Sequence, residues 1–360
     1  MRKNLVPDQI VRASYFKEET TIKPLNELMK LFPNNQTILE AVLKTEDHIA
    51  SGVPISVSVS GGGDSDIIVD MFERVGYTPG QVQYVWFDTG LEYEATKLHL
   101  KFLEEKYGIE IIRYKAKKAI PTSCREYGMP FLSKQVSMYI HRLQTHGFQW
   151  EDDTFENLSI KYPRCLSALR WWCNAWGEKS RFNIEQNAGL KEFMLKNPPP
   201  SFSDRCCEFA KKNVGYEIEK SLDNDVLIVT GVRRAEGGIR AVRYPSCYTP
   251  ADKHAAQFRP IFYFTDDDKR EYEEFCGVVH SACYTQYGLK RTGCACCPFG
   301  SGFEFELEVA KEYEPKLFKA ANAIFGDSYD YMRKYREFKE EFKKNKRKTK
   351  PEFDGGEKSD

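Results

Sequence analysis

The chain has 360 residues, 53 basic and 53 acidic side chains, and a formal net charge of zero. A neutral balance of this kind favours no polyanionic partner. No run of about 18 apolar residues is present to span a membrane, and no charged-then-apolar signal segment opens the chain, so we expect a cytoplasmic protein with no membrane partner. Eleven cysteines in that reducing compartment argue against disulfides.

Composition and pattern divide the chain into six segments. The main expectation is an α/β nucleotide-binding core in two parts, separated by a mostly helical insertion. In chain order the segments are an N-terminal lead-in (1–35), the first part of the core (36–119), the helical insertion (120–205), the second part of the core with a cysteine cluster (206–300), C-terminal helices (301–342) and a basic disordered tail (343–360).

The first part of the core contains a glycine-rich turn between a strand and a helix. Ile55–Val59 is a short β-branched run typical of a buried strand, and the residues after Ser65 show helical spacing. Glycines let the backbone approach an anion, and the first turn of a helix presents free N–H groups and the positive end of its dipole. A simple glycine turn is the alternative. The candidate nucleotide contacts here are Ser58, Ser60, Gly61, Gly62, Gly63, Asp64 and Ser65.

The second predicted strand, Val82–Phe87, is followed at once by Asp88 and Thr89. Polar residues at the carboxyl end of a parallel strand are where open α/β sheets place ligand contacts. Asp88 is therefore a candidate for a metal, ribose or phosphate contact, and Thr89 for an anion contact. The alternative is that both side chains cap the next helix by satisfying its amide groups.

Two further strands extend the pattern. A third strand is predicted at Ile109–Tyr114 and a fourth at Val226–Thr230, so the alternation of helix and strand indicates a parallel sheet with right-handed crossovers. The fourth strand leads into Gly231, Arg233 and Arg234. Guanidinium groups at the end of a strand suit a phosphate or sulfate. A solvent-exposed turn is the alternative.

The insertion is rich in aromatic residues. It contains four of the five tryptophans, namely Trp150, Trp171, Trp172 and Trp176. We predict a packed helix at Ala168–Trp176, and we expect these aromatic rings to form a core rather than a platform for stacking bases.

The cysteines indicate a metal site. Cys294 and Cys297 are two residues apart and lie between a glycine and a proline, which is the spacing of a chelating hairpin. Zinc takes four thiolate or imidazole ligands, and iron–sulfur clusters are held by four thiolates. Both candidate sets contain Cys283, Cys294 and Cys297, with His280 completing a zinc site and either Cys206 or Cys207 completing a cluster. Cys296 has no place in either set and is expected to pack.

These motifs, in this order, resemble those of the phosphoadenosine phosphosulfate (PAPS) reductase branch of the adenine nucleotide α-hydrolase, or PP-loop, superfamily. The loop is similar to SGGxDS, and DTGLE from Asp88, the GVR run from Gly231 and the cysteine spacing follow over roughly residues 50–300. The family usually carries lysine where this chain has Gly63. The resemblance implies a Rossmann-like, mostly parallel α/β sheet with helices on both faces, a helical insertion, and a C-terminal metal-cluster and helical region.

The resemblance also implies a site and its cofactors. An adenine nucleotide, ATP or PAPS, would bind with Mg²⁺ at the carboxyl ends of the strands, with Asp64, Asp88 and Arg233 as catalytic residues. A pair of adjacent cysteines followed by a C-x-x-C motif is similar to the [4Fe–4S] pattern of the family, which favours a cluster over zinc.

The reaction expected first is ATP-dependent, adenylylating sulfur transfer or pyrophosphatase-type chemistry, with a sulfur donor protein and with nucleic acid as one possible acceptor. A sulfonucleotide reductase is the alternative. In that branch the nucleophile lies in a C-terminal tail motif, and no cysteine follows Cys297 here. A non-catalytic nucleotide sensor or scaffold is the second alternative, since it would suit the loss of both the loop lysine and the tail cysteine.

Overall fold

A computed structural model describes residues 30, 32, 34–221, 226–237, 243–252 and 254–348. The predicted lead-in therefore lies almost wholly outside the described residues, as does the end of the predicted tail. The chain forms two compact units. The first comprises Met1–Ile120, Cys207–Cys296 and Glu304–Lys319, and the second comprises Pro121–Cys206, Cys297–Phe303 and Ala320–Asp360.

The described part of the chain is mostly helical, with short strands. Its α-helices are α1 Gln36–Ala50, α2 Gly63–Val75, α3 Glu94–Tyr107, α4 Ile120–Tyr127, α5 Lys134–Thr145, α6 Phe155–Lys161, α7 Leu166–Trp172, α8 Leu190–Lys196, α9 Asn213–Ser221, α10 Asp266–Cys276, α11 Ala282–Thr285, α12 Phe303–Tyr313 and α13 Pro315–Lys348. A π-helical segment, Glu208–Lys212, precedes α9. The strands are β1 Ile55–Ser58, β2 Val82–Asp88, β3 Ile111–Lys115, β4 Leu227–Val229, β5 Tyr248–Thr249 and β6 Ala256–Phe258. None of the described helices combines the length and hydrophobicity that a membrane span requires.

The strands form one six-stranded sheet in the order β3-β2-β1-β4-β6-β5. All neighbouring pairs are parallel except β5 with β6. The predicted α/β class with a mostly parallel, Rossmann-like sheet is therefore confirmed. Since β2 lies on one side of β1 and β4 on the other, the chain reverses its direction of travel across the sheet at β1. In open α/β sheets, ligands bind at this topological switch point, outside the carboxyl ends of the strands.

The two faces of β1 have different partners. Val57 and Val59 are buried in the main core of the first unit, together with Ile67, Ile68 and Phe72 of α2. Ser56 and Ser58 alternate with these valines, and therefore face the opposite side of the sheet. A strand that buries only one face in apolar side chains leaves the other for polar contacts.

Helix α2 also buries an ion pair. The carboxylate of Asp70 accepts hydrogen bonds from Arg74 at 2.5 Å, from Tyr107 at 2.7 Å and from Tyr272 at 3.0 Å. Arg74 and Asp70 side chains are 2% and 0% exposed. Although burial alone would lower the pKa of Arg74, its hydrogen bond to Asp70 raises it. The guanidinium also donates to the carbonyl of Cys276, the last residue of α10, so this pair joins α2 to α3 and α10.

We predict that Asp70→Asn lowers the free energy of unfolding by about 3 kcal/mol, because it leaves the buried Arg74 without its charge partner. Asp47→Asn on α1 is the matched control, since Asp47 is exposed, and its effect should stay within about 0.5 kcal/mol. Urea unfolding followed by circular dichroism measures both. Equal stabilities for the two variants would contradict the structural role of the pair.

The second unit has an aromatic core of its own. Trp171 and Trp172 are 2% and 0% exposed, and Trp172 packs edge-on against Phe148 and Trp150. The expectation of a packed aromatic insertion is confirmed for these rings, whereas Trp176 is 36% exposed. The predicted helix through residue 176 ends earlier, at Trp172, because the chain turns into a left-handed conformation soon afterwards, with a φ of 55° at Asn174.

Two other features differ from the predicted segments. The edge strands β5 and β6 were not predicted, since two or three residues carry no alternating pattern that can be recognised. Helix α13 continues to Lys348, so the first residues of the predicted basic tail are helical. Basic residues at the C-terminal end of a helix are favoured by its dipole.

Candidate functional site

The predicted phosphate loop lies where β1 ends and α2 begins. The hydroxyl of Ser65 accepts hydrogen bonds from the N–H groups of Ser60 at 3.2 Å and Gly62 at 3.1 Å, and it donates to the carbonyl of Gly62 at 2.7 Å. Gly61 has a φ of 66°, and a Cβ there would lie 2.8 Å from a methyl carbon of Thr96. The loop therefore requires glycine at this position and is held in shape by Ser65.

A tyrosine hydroxyl covers the loop. The N–H of Gly63 donates to the hydroxyl oxygen of Tyr284 at 3.3 Å, and the N–H of Thr292 donates to the same oxygen at 3.2 Å. A Cβ at Gly62 would lie 2.9 Å from the hydroxyl of Thr292. The segment that contains α11 therefore packs directly on the glycines of the loop.

Asp64 brings two cations to the mouth of the loop. Its Oδ1 accepts from Nε of Arg233 at 3.1 Å and from Nζ of Lys269 at 2.8 Å. Arg233 also donates to Asp266 at 2.8 Å. A Cβ at Gly231 would lie 3.3–3.4 Å from atoms of Asp64, so the glycine at the end of β4 permits this close approach. Three residues predicted to be in the site, Asp64, Gly231 and Arg233, are thus brought together.

The two predicted arginines differ in their environment. Arg233 is 8% exposed. Burial alone would lower its pKa, but the hydrogen bond to Asp266 and the charge of Asp64 raise it. The Arg234 side chain is exposed, and its N–H donates to the carbonyl of Phe262. Arg234 therefore fits the alternative of a surface turn, and Arg233 is the arginine that reaches the loop.

A row of carboxylate and imidazole groups lies behind the loop. The carboxylate of Asp66, which is fully buried, lies 3.0 Å from Nε2 of His99 and 2.8 Å from Nδ1 of His280. The second ring nitrogen of His280 lies 2.9 Å from Glu273. Burial raises the pKa of Asp66, but the two histidines outweigh it and lower the pKa. Burial lowers the pKa of His280, but hydrogen bonds to Asp66 and Glu273 raise it to about 9. Both ring nitrogens of His280 face carboxylates, an arrangement that differs from the predicted zinc ligand.

We predict that His280→Gln removes a pH-dependent part of the stability. The pKa of His280 is raised above that of the unfolded chain, so protonated His280 contributes fully below about pH 6.5 and its contribution is lost as the pH rises through about 9. The difference in unfolding free energy between wild type and variant should therefore shrink by about 3 kcal/mol between about pH 6 and pH 10. Urea titrations across this range measure it.

His146→Gln is the control, because the half-buried His146 lies in the second unit. A constant difference between wild type and His280→Gln at every pH would show that folding does not raise the pKa of His280.

The residues after β2 are held by local hydrogen bonds. Asp88 accepts from Nε of Arg113 at 2.7 Å and from the N–H of Gly90 at 2.8 Å. Burial raises its pKa, but these donors outweigh it and lower the pKa. Thr89 is fully buried, and its N–H and hydroxyl both donate to Glu92. Thr89 therefore stabilises its own turn, while Asp88 remains a carboxylate at the carboxyl end of the sheet.

A cleft opens on the serine face of β1, at the topological switch point. Its volume is about 470 Å³, and its lining includes Ser56, Ser58, Lys211, Lys212, Tyr216 and Thr230. Ser58 is the last residue of β1 and precedes the phosphate loop by one residue, so the cleft adjoins the loop along the chain. Pockets of about 300–1,000 Å³ hold small ligands and cofactors.

The predicted cysteine ligands are divided between the two units. In the first unit, Cys294 lies 3.6 Å from the hydroxyl of Thr89 and within electrostatic range of Cys207, whereas Cys283 is fully buried beside Thr96 at 3.5 Å. Cys206 and Cys297 belong to the second unit. Among the described residues, no three His, Cys, Asp or Glu side chains are grouped closely enough to hold a metal. The [4Fe–4S] cluster therefore stays a prediction from the spacing of the cysteines.

Burial raises the pKa of two thiols of the first unit. The pKa of Cys283 is raised to about 11 and that of Cys296 to about 12. Cys296 is fully buried, and its N–H donates to Glu306 at 2.9 Å, as expected for a cysteine that packs.

The prediction of a [4Fe–4S] cluster can be tested directly by measuring the iron and sulfide content of the protein. Protein purified without oxygen should contain iron and acid-labile sulfide in equal amounts, since the cluster holds four of each. Cys294→Ser should lose both, because it removes a thiolate ligand, and Cys296→Ser should retain them. Zinc in place of iron would contradict the prediction.

Several residues of the site were missed by the sequence analysis. Lys269 follows the acidic start of α10, and nothing in its local sequence connects it with a loop about 200 residues earlier. Asp66 and His99 lie on predicted helices. Helical spacing marks a position only as exposed or as part of the core, so it does not reveal that the two side chains pair. Lys211 and Lys212, which line the cleft, were not predicted as site residues.

Comparisons with known proteins give few matches in sequence. No protein-family model matches the chain. Among curated proteins, an uncharacterized protein from Methanocaldococcus jannaschii is 28% identical over 142 residues. This match covers 36% of the present chain, and the chain spans only 29% of that relative.

Two solved structures are similar to this chain. Phosphoadenylyl-sulfate (PAPS) reductase from Candida auris, in a phosphate complex, has a TM-score of 0.38 and 14% identity, and the match covers 75% of this chain and 93% of that one. The U34-tRNA thiolase NcsA from Methanococcus maripaludis, with its [4Fe–4S] cluster, has a TM-score of 0.34 and 13% identity, covering 85% of this chain and 81% of that one. With TM-scores this low, neither likeness carries an argument about this chain.

Proposed function

We propose that this protein is a PAPS reductase-like enzyme of the PP-loop superfamily that binds an adenine nucleotide at the carboxyl ends of β1 and β4. The observation that carries the proposal is that Ser58 lines the cleft and the phosphate loop begins two residues later, at Ser60. The cleft is large enough for a nucleoside, and the loop lies at the start of α2, where the helix dipole favours phosphate groups. The switch point of the sheet is the expected place for such a ligand.

The charges at the loop support a polyphosphate. Arg233 and Lys269 both reach Asp64, and one carboxylate oxygen is shared between two cations. An incoming phosphate would find these cations already in place, which reduces the cost of ordering them. Mg²⁺ is usually held by one or two carboxylates together with substrate phosphates. Asp64 is the carboxylate of the loop that fits this role, with Asp88 at the neighbouring strand end.

The chemistry proposed first is adenylylation. An acceptor carbonyl oxygen would attack the α-phosphorus of ATP, so that an O–P bond forms, the bond to the β-phosphate breaks and pyrophosphate leaves. A sulfur nucleophile from a donor protein would then displace AMP from the activated carbon. Arg233 would stabilise the negative charge that develops on the phosphates. A nucleic-acid base is one acceptor with the required carbonyl oxygen.

Thermal unfolding with a panel of nucleotides tests the proposal. A ligand that binds only the native state raises the melting temperature by mass action. We expect Mg-ATP to raise it more than PAPS, adenosine phosphosulfate or adenosine 3′,5′-bisphosphate. Selective stabilisation by PAPS would instead indicate a sulfonucleotide reductase. No stabilisation by any of them would overturn the proposal of a nucleotide enzyme.

The two neighbouring arginines provide a matched pair of variants. Arg233→Ala should weaken Mg-ATP binding about 10–100-fold, because it removes a charged hydrogen-bond donor from the loop. Arg234→Ala should stay within about twofold, since its side chain is exposed. Isothermal titration calorimetry gives both dissociation constants. Equal losses for the two variants would mean that the arginines act through bulk charge rather than at the loop.

A further inference from the structure

The space in front of Gly63 is filled by a lysine from a distant helix. A Cβ at Gly63 would lie 2.8 Å from Nζ of Lys269 and 3.3 Å from Cε1 of His280. Gly63 is the first residue of α2, and its φ is outside the left-handed region. Glycine is therefore not needed here for backbone conformation. Because glycine has no side chain, residue 63 leaves room for the ammonium group of Lys269.

Lys269 is fixed in this position from several directions. It lies in the first turn of α10, and this helix is capped by Thr265, whose hydroxyl accepts from the N–H of Asp268 at 3.1 Å. Its Nζ lies 2.8 Å from Asp64 and 3.6 Å from Glu273, and its side chain is 21% exposed. Burial alone would lower the pKa of Lys269, but the charge of Asp64 raises it. The group at the loop is thus a protonated, positioned cation.

The carboxylates around Lys269 are shared with other cations. Asp64 also pairs with Arg233, and Glu273 also pairs with His280. Each of the two acidic partners of Lys269 therefore divides its charge between two basic groups. A phosphate oxygen that approached Gly63 would meet the ammonium group together with the N-terminal end of α2, and both favour negative charge.

We infer that Lys269 is the phosphate-binding cation of the loop, supplied by α10 in place of a side chain at residue 63. The inference rests on the proposed nucleotide function, and it concerns the phosphate groups of the nucleotide. Lys269 contacts phosphate groups and neither base nor ribose. Its contribution to affinity therefore increases with the number of phosphates, and is absent for adenosine.

The first experiment measures the affinities of ATP, AMP and adenosine, all with Mg²⁺, by calorimetry on the full chain. Lys269→Ala should weaken ATP binding about 10–100-fold and leave adenosine binding within about twofold, because only the phosphate contact is lost. Lys106→Ala is the matched control. Lys106 is also a partly buried lysine of the first unit, and its ammonium donates to the carbonyl of Gly277 at 3.3 Å.

The second experiment moves the cation back to residue 63. Gly63→Lys combined with Lys269→Ala removes the ammonium that a Cβ at residue 63 would meet, and places a lysine on the loop itself. The double variant should bind ATP at least about tenfold more tightly than Lys269→Ala does. If Lys269→Ala does not fold, as shown by its melting temperature without ligand, Lys269→Gln keeps the length of the side chain and replaces it in both experiments.

The outcomes separate this inference from the proposed function. If wild type binds ATP more tightly than adenosine and Lys269→Ala binds both as wild type does, Lys269 is not a phosphate ligand, while the nucleotide function stands. If Lys269→Ala weakens adenosine as much as ATP, Lys269 acts by maintaining the fold, and the inference is wrong. If wild type binds none of the three, the proposed function fails and this inference fails with it.

Discussion

The burial of two carboxylates on one helix is the constraint on which the rest of the first unit depends. Asp66 and Asp70 both lie on α2 and are fully buried, and an unpaired charge in such a place would cost several kcal/mol. Asp66 is paired with His99 of α3 and with His280. Asp70 is paired with Arg74 of the same helix and also accepts hydrogen bonds from Tyr107 of α3 and Tyr272 of α10. Helix α2 can therefore occupy its place only when α3 and α10 are also in theirs.

This dependence positions the loop. The same helix that buries Asp66 and Asp70 begins at Gly63, and Asp64 precedes Asp66 by two residues. Because α10 is tied to α2 through the carbonyl of Cys276 and the hydroxyl of Tyr272, the basic and acidic residues of its first turn have a fixed relation to the loop. The buried interactions of Asp66 and Asp70 therefore fix the positions of the partly exposed charged residues at the mouth of the loop.

The sequence permitted a good prediction of the first unit's sheet and of the residues that follow its strands. Strands β1 to β4 lie within one or two residues of the predicted ranges, because each is a β-branched or aromatic run bounded by polar turns. Asp64, Gly231 and Arg233 were predicted as site residues because the carboxyl ends of parallel strands share one edge. These predictions rest on local pattern and on topology, and both can be read from a single sequence.

The rest of the site depends on long-range pairing, which a single sequence does not encode in a local pattern. Lys269 is separated from Gly63 by more than 200 residues, and nothing in its neighbourhood distinguishes it from a surface residue of an ordinary helix. His280 is as distant, and its neighbouring cysteines suggested a zinc ligand rather than a partner of Asp66. Thr89 was predicted as an anion contact, but its donors are used by Glu92 three residues later. The spacing of cysteines predicted a common metal, but spacing does not specify which thiols turn towards one another.

The hydroxyl of Tyr284 connects the loop with the cysteine-bearing segment in a way that neither motif indicates by itself. One oxygen accepts from the amide of Gly63 and from the amide of Thr292. Buried amides require an acceptor, so an oxygen atom of a ligand that takes the Gly63 amide must displace this hydroxyl and loosen its hold on the chain two residues before Cys294. Ligand binding at the loop and the conformation of the segment that leads to Cys294 are therefore mutually dependent.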